Sequence, residues 1–189
     1  MNDITRDRAW ELLNEYTKSE SLIRHMLAVE AAMRAYARKL GEDEELWGIT
    51  GLLHDFDYER WPNPDLDETG HPYTGVKILR EQGYPEVMLE AIMGHATYSG
   101  VVRSAPLAKA LFAVDELCGL IQAIGYVRPN NREGLAPKSV KKKLKDKVFA
   151  KGVNRDDVAL GMAEMEVEAN EHISLVVEAM QGIAQDLGF

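Results

Sequence analysis

Apolar residues recur along this chain at spacings of three and four, the pattern of helices that each bury one face. No stretch keeps the strict alternation of a half-buried strand. The clearest stripe runs Leu22, Met26, Val29, Ala32, Met33, Tyr36 and Leu40, and predicts a helix over about 20–40. Ser19 would open it and Gly41 would stop it, because glycine accepts the left-handed turn that ends helices. A shorter helix over about 5–16 precedes it, capped by Thr5. A third, over about 43–56, opens on Asp43, whose charge suits a helix N-terminus, and ends at His54-Asp55-Phe56. The run DYERWPNPDLDETG, with two prolines, reads as a loop. Further helices are expected from near Pro72 to Gly83, from Pro85 to about His95, and over about 106–124, 138–150, 155–164 and 166–187. The segment GYVRPNNREGLAP is a second loop. The pattern therefore predicts an all-α chain of eight or nine helices folded as one compact bundle. It forms a single domain over 1–189, with the C-terminal helices at 138–187 packed on the rest.

Composition changes this picture little. Apolar content of 46% and charged content of 28% are ordinary for a globular chain. The formal charge of −9, from 22 basic and 31 acidic residues, argues against nonspecific binding to DNA, RNA or anionic membranes. A small anionic substrate stays open, because a metal site reverses the local field. The single cysteine, Cys118, allows no internal disulfide and no cysteine-based zinc motif, and reads as a small buried residue. The opening MNDITRDRAWELL has no apolar leader, and no apolar run approaches the length that spans a bilayer. A cytoplasmic protein is the expectation.

The chemistry lies in the histidines. Of five, four fall within residues 25–95: His25, His54, His71 and His95. His25 sits on the apolar stripe of its helix. His54 and Asp55 are adjacent at a helix end, where two neighbouring side chains reach one point most easily. His71 opens a helix, where a neutral ring is favoured over an imidazolium. His95 precedes a helix exit. Asp115 interrupts the apolar run ALFAVDELCGLI, and a carboxylate there needs a partner. Each alone has an ordinary structural reading, as a core histidine, a cap or an ion pair. Together they form the order H…HD…H…H…D, and imidazole and carboxylate are the groups that hold divalent transition metals. His172, far along the last helix, reads as structural.

The segments RHMLAVEAAMRAYARKLG, ITGLLHDFD, GHPYTGVKIL, AIMGHA and AVDELCG resemble the HD-domain superfamily of metal-dependent phosphohydrolases over about residues 20–120. The resemblance implies a helical bundle of the HD-domain type. It also implies that His25, His54, Asp55 and Asp115 hold one metal, with Asp55 bridging to a second held by His71 and His95. The implied cofactor is a divalent transition metal, two ions rather than one, with iron, manganese, cobalt or zinc favoured by the nitrogen-rich set and magnesium also open. The implied activity is hydrolysis of a small phosphomonoester or phosphodiester, nucleotide-like, by a metal-activated hydroxide. Asp57 would protonate the leaving group or orient the water. Arg128, with Arg132 in the same loop, and Lys138 would hold phosphate. The pattern departs from HD-GYP diesterases, which carry a lysine where Tyr58 stands and a paired histidine where this chain has His95-Ala96. Those differences point away from cyclic-dinucleotide cleavage. Diiron oxygenases of the same superfamily use the same ligands, and a non-catalytic metal- or nucleotide-binding module is a third reading. Substrate and oligomeric state are not encoded in the spacing.

Overall fold

The computed structural model describes residues 4–128 and 134–188, and its regular elements among these are helical. α1 (Arg6–Tyr16) starts at Thr5, whose side chain accepts from the Arg8 N–H. α2 (Glu20–Leu40) ends at Gly41, which takes the left-handed conformation at φ 73°. α3 (Glu44–Leu53) is capped by Asp43, which accepts from the N–H groups of Glu45 and Leu46. Then follow α4 (Tyr73–Glu81), α5 (Glu86–His95), a short 3₁₀ turn at Thr97–Ser99, α6 (Pro106–Val127), α7 (Pro137–Leu144), α8 (Arg155–Glu164) and α9 (Ala169–Gly182).

Three helices stop short of their expected spans, each for a local reason. α3 ends at Leu53 where the ladder gives way to tighter turns, the Tyr58 N–H donating to the Asp55 carbonyl at 3.0 Å and the Arg60 N–H to the Asp57 carbonyl at 3.1 Å. α7 ends at Leu144 because the Asp146 carboxylate accepts from the N–H groups of Val148 and Phe149, a local bond that competes with the helix ladder. Val148, expected on the apolar side of that helix, is 76% exposed. α9 begins at Ala169 because Glu168 caps it and Glu166 takes a positive φ of 53°.

α2 and α6 form the centre. α2 packs along α3 and against α6 and α9, and α6 contacts α5, α8, α7 and α9. Tyr36, Met26, Met33, Leu52, Phe56 and Leu89 lie fully buried between them. Removing this apolar surface from water is the main force that assembles the helices. α6, at 22 residues and a mean hydropathy of 1.5 over its most apolar window, is long and apolar enough to cross a membrane, contrary to the expectation that no run approaches that length. Its apolarity is accounted for by the fold, since 67% of that window is buried inside it.

Candidate metal centre

The six sequence-predicted ligands come from five places in the fold. His25 stands on α2, and His54 and Asp55 lie in the turn just past α3. His71 lies two residues before α4, His95 is the last residue of α5, and Asp115 sits mid-way along α6. The fold brings all six together as two abutting triads, His25–His54–Asp115 and Asp55–His71–His95. Within each, the ligating atoms lie within 4.8 Å of one another.

Asp55 joins the two. Its Oδ1 lies 3.3 Å from both His71 Nε2 and His95 Nε2. Its Oδ2 faces the first triad, 3.5 Å from His54 Nε2 and 4.0 Å from His25 Nε2. Asp115 Oδ1 lies 3.0 Å from His25 Nε2 and 3.5 Å from His54 Nε2.

Three imidazoles are turned inward by what stands behind them. His54 Nδ1 donates to the Gly51 carbonyl at 2.8 Å, and His95 Nδ1 donates to the Ile92 carbonyl. His71 Nδ1 donates to Asp57 Oδ1 at 2.7 Å. A ring whose Nδ1 carries the proton offers a lone pair at Nε2, the form that ligates metal. Two further observations test whether the set fits a cation. His54 Nε2 is buried without a hydrogen-bond partner, which is costly for a polar atom. His71 and His95 also point Nε2 at Nε2 across 3.2 Å. A proton or a cation shared between them satisfies both nitrogens at that distance. The donor set therefore fits divalent cations.

Electrostatics agree. Burial pushes His54 down, but the carboxylates of Asp55 and Asp115 outweigh it and raise it to about 9. Burial likewise opposes a charged His71, and Asp55 and Asp57 overcome it. The neutral ring expected from the helix N-terminus is thus not what its surroundings favour, because two carboxylates act on it more strongly than a short helix. Asp55 and Asp115, although buried, are held below the usual carboxylate range, with His54 the largest opposing influence on each. These acids would favour a metal ion in place of protons for the same reason.

The cluster opens into a cleft of about 410 Å³. Tyr58, Thr97, Tyr98, Glu116, Asn154 and Asp157 form its walls around the ligands. Tyr98 donates to the His71 carbonyl at 2.7 Å, and the Asn63 amide donates to the same oxygen at 2.8 Å. Glu116 accepts from the Asn154 N–H at 3.1 Å, and burial together with the Asp115 charge raises it to about 7. Sequence reasoning missed these residues. Asn154 and Asp157 belong to the first turn of α8, some forty residues from Asp115, and only packing brings them to the cleft. Glu116 had the one available signal, its place next to Asp115.

Three other predicted site residues lie away from the cleft lining. Asp57 is 1% exposed, and both its oxygens are occupied, one by His71 and one by the Gly75 N–H at 2.7 Å. It faces the interior and does not reach a leaving group in the cleft. Lys138 is exposed and borders a separate hollow of about 430 Å³ with Ser139, Lys141, Lys142 and Lys145, because α7 packs on α6 and α9 rather than over the cleft. Arg128 caps the C-terminus of α6 and is likewise not among the cleft's lining residues. Arg132 lies outside the described residues. Two larger hollows lie elsewhere, one of about 490 Å³ between α1, α2 and the segment after α9, the other of about 540 Å³ between α2 and α9. At the first, Glu30 accepts from both Arg6 and Arg34.

No curated protein and no solved structure matches the chain. The family model described as HD domain matches residues 22–119, the span from the start of α2 to four residues past Asp115. That is just over half of the chain and contains all six converging side chains, and the chain belongs to the HD domain family.

Proposed function

We propose that this protein is a metal-dependent phosphohydrolase that holds two divalent ions, one on each triad, with Asp55 between them. The observation that carries this reading is the convergence of four imidazoles on the two oxygens of one carboxylate. When bound, such a pair of ions lowers the pKa of a water toward about 7 and neutralises the charge that builds on phosphoryl oxygens.

The chain's own part is to hold and orient. Gly51, Ile92 and Asp57 fix the tautomers of His54, His95 and His71. Tyr98 and Asn63 tie down the backbone of His71. The walls then sort substrates. Among the described residues, no lysine or arginine lines the cleft, while Glu116 and Asp157 do. Walls without basic groups offer a chain of phosphates nothing beyond the ions, whereas a single phosphoryl group needs only the ions. Tyr58, Tyr98 and Asn154 offer ring faces and hydrogen bonds to an organic part. A phosphomonoester or phosphodiester with one phosphoryl group and a hydroxylated, nucleoside-like remainder suits this arrangement better than a nucleoside triphosphate.

The test is a panel of phosphoesters assayed with Mn, Fe(II), Co, Ni, Zn and Mg, under air and under anoxia, for wild type and Asp55→Ala. Phosphate release without oxygen is expected with at least one metal, falling by at least about 100-fold in the variant. Equal rates for the two proteins on every active substrate would remove the assignment. Turnover that consumes oxygen and stops under anoxia would transfer it to the oxygenase branch.

A further inference from the structure

The two triads are not equivalent. The first has a carboxylate of its own, Asp115, besides its share of Asp55. The second has only the two imidazoles of His71 and His95 besides Asp55. On that inventory the second ion would be held by less negative charge than the first.

Asp57 redresses this. Behind His54 and His95 stand neutral backbone carbonyls, of Gly51 and Ile92. Behind His71 stands a carboxylate, Asp57, at 2.7 Å and 1% exposed. A charged acceptor makes a stronger hydrogen bond than a neutral one and raises the basicity of the far nitrogen. The second oxygen of Asp57 is held by the Gly75 N–H at 2.7 Å, in the first turn of α4. That contact needs glycine, since a Cβ at position 75 would lie 2.6 Å from the Asp57 carboxyl carbon. The carboxylate is thus gripped at both ends and aligned on one ring.

We infer that Asp57, locked by Gly75, is a positioning residue that sets the affinity of the second metal site through His71 and so makes the centre dinuclear. The inference rests on the two-ion reading above. It gives the aspartate two positions after the His54-Asp55 pair a role distinct from proton transfer.

Mn(II) is titrated calorimetrically into chelator-stripped full-length protein, and bound metal is counted after dialysis. Wild type should take two ions. Asp57→Asn, which keeps the size but loses the charge and one acceptor, should bind its first ion within about threefold of wild type and its second about 10–100-fold more weakly. Gly75→Ala, which touches no ligand, should show the same split by displacing the Asp57 carboxyl, and serves if Asp57→Asn does not fold. A purely structural role for Asp57 would lower the thermal midpoint of the metal-free protein and leave the ratio of the two affinities unchanged. Both affinities falling together, or neither moving, overturns the inference while leaving the dinuclear reading intact. A wild type that binds a single ion overturns both.

Discussion

His172 shows how a histidine of the same chain comes to serve structure. It is fully buried, its Nε2 donates to the Ala113 carbonyl at 3.1 Å, and its Nδ1 accepts from the Tyr36 hydroxyl. Both nitrogens are satisfied by protein, whereas His54 keeps one without a partner. Burial, with a smaller push from the Lys39 charge, lowers His172 to about 4. The native ring is therefore neutral. Below about pH 6.5 the unfolded chain takes up a proton that the native ring refuses. Stability from this residue is full above that pH and is lost as pH falls toward 4, by roughly 3 kcal/mol in all. Chemical denaturation at pH 7 and pH 4.5 should show a steeper loss for wild type than for His172→Gln; parallel losses would refute the assignment. Tyr36→Phe should cost about 1–3 kcal/mol at pH 7, since it strands His172 Nδ1 without a donor.

Among elements, the α2–α3 contact matters most to the centre, because it sets His25 beside His54. Their ring centroids lie 5.3 Å apart. The helices approach closely at Gly51, where a Cβ would sit 2.9 Å from the Val29 carbonyl oxygen and 3.0 Å from the Glu30 nitrogen. Backbone on both sides leaves nothing to yield, so Gly51→Ala should force the helices apart at a cost of about 1–3 kcal/mol, measured by urea denaturation. The same movement should weaken metal binding at the first triad, which spans α2, the turn after α3 and α6. A variant with unchanged stability and unchanged metal affinity would show that the interface is looser than these distances state.

At the scale of the molecule, the six candidate ligands come from α2, the turn after α3, the approach to α4, and α5 and α6, while α1, α7, α8 and α9 contribute none of them. An ion that binds only when these parts are assembled stabilises the folded state by about 2.7 kcal/mol at 100 times its dissociation constant. Thermal unfolding should therefore shift upward with Mn(II) and return with chelator, and the shift should shrink in Asp115→Ala. Absence of any shift in wild type at saturating metal would mean that the cluster is held apart from ions. The charge distribution points the same way. A chain of −9 concentrates acids at the cleft and places Lys138, Lys141, Lys142 and Lys145 around a separate hollow, so the cleft attracts cations first.

Periodicity and caps were enough to read the helices, because both depend on neighbours within a turn or two, and the candidate ligands were legible in the order of histidines and aspartates over 25–115 and its likeness to a known family. Thr5, Asp43 and Gly41 act at helix ends as local chemistry dictates. The same local view could not see which way a side chain turns. Asp57 reads like a cleft acid two residues past His54-Asp55, yet it faces inward because α4 brings Gly75 and His71 against it from eighteen and fourteen residues away. Arg128 and Lys138 read like phosphate clamps, yet α7 lies on the flank of α6 and α9. Glu116, Asn154 and Asp157 meet at the cleft only because α8 packs along α6. Spacing within a helix is a property of the local backbone; who stands opposite is decided by packing between helices distant in the chain, and substrate selection depends on that second kind of information.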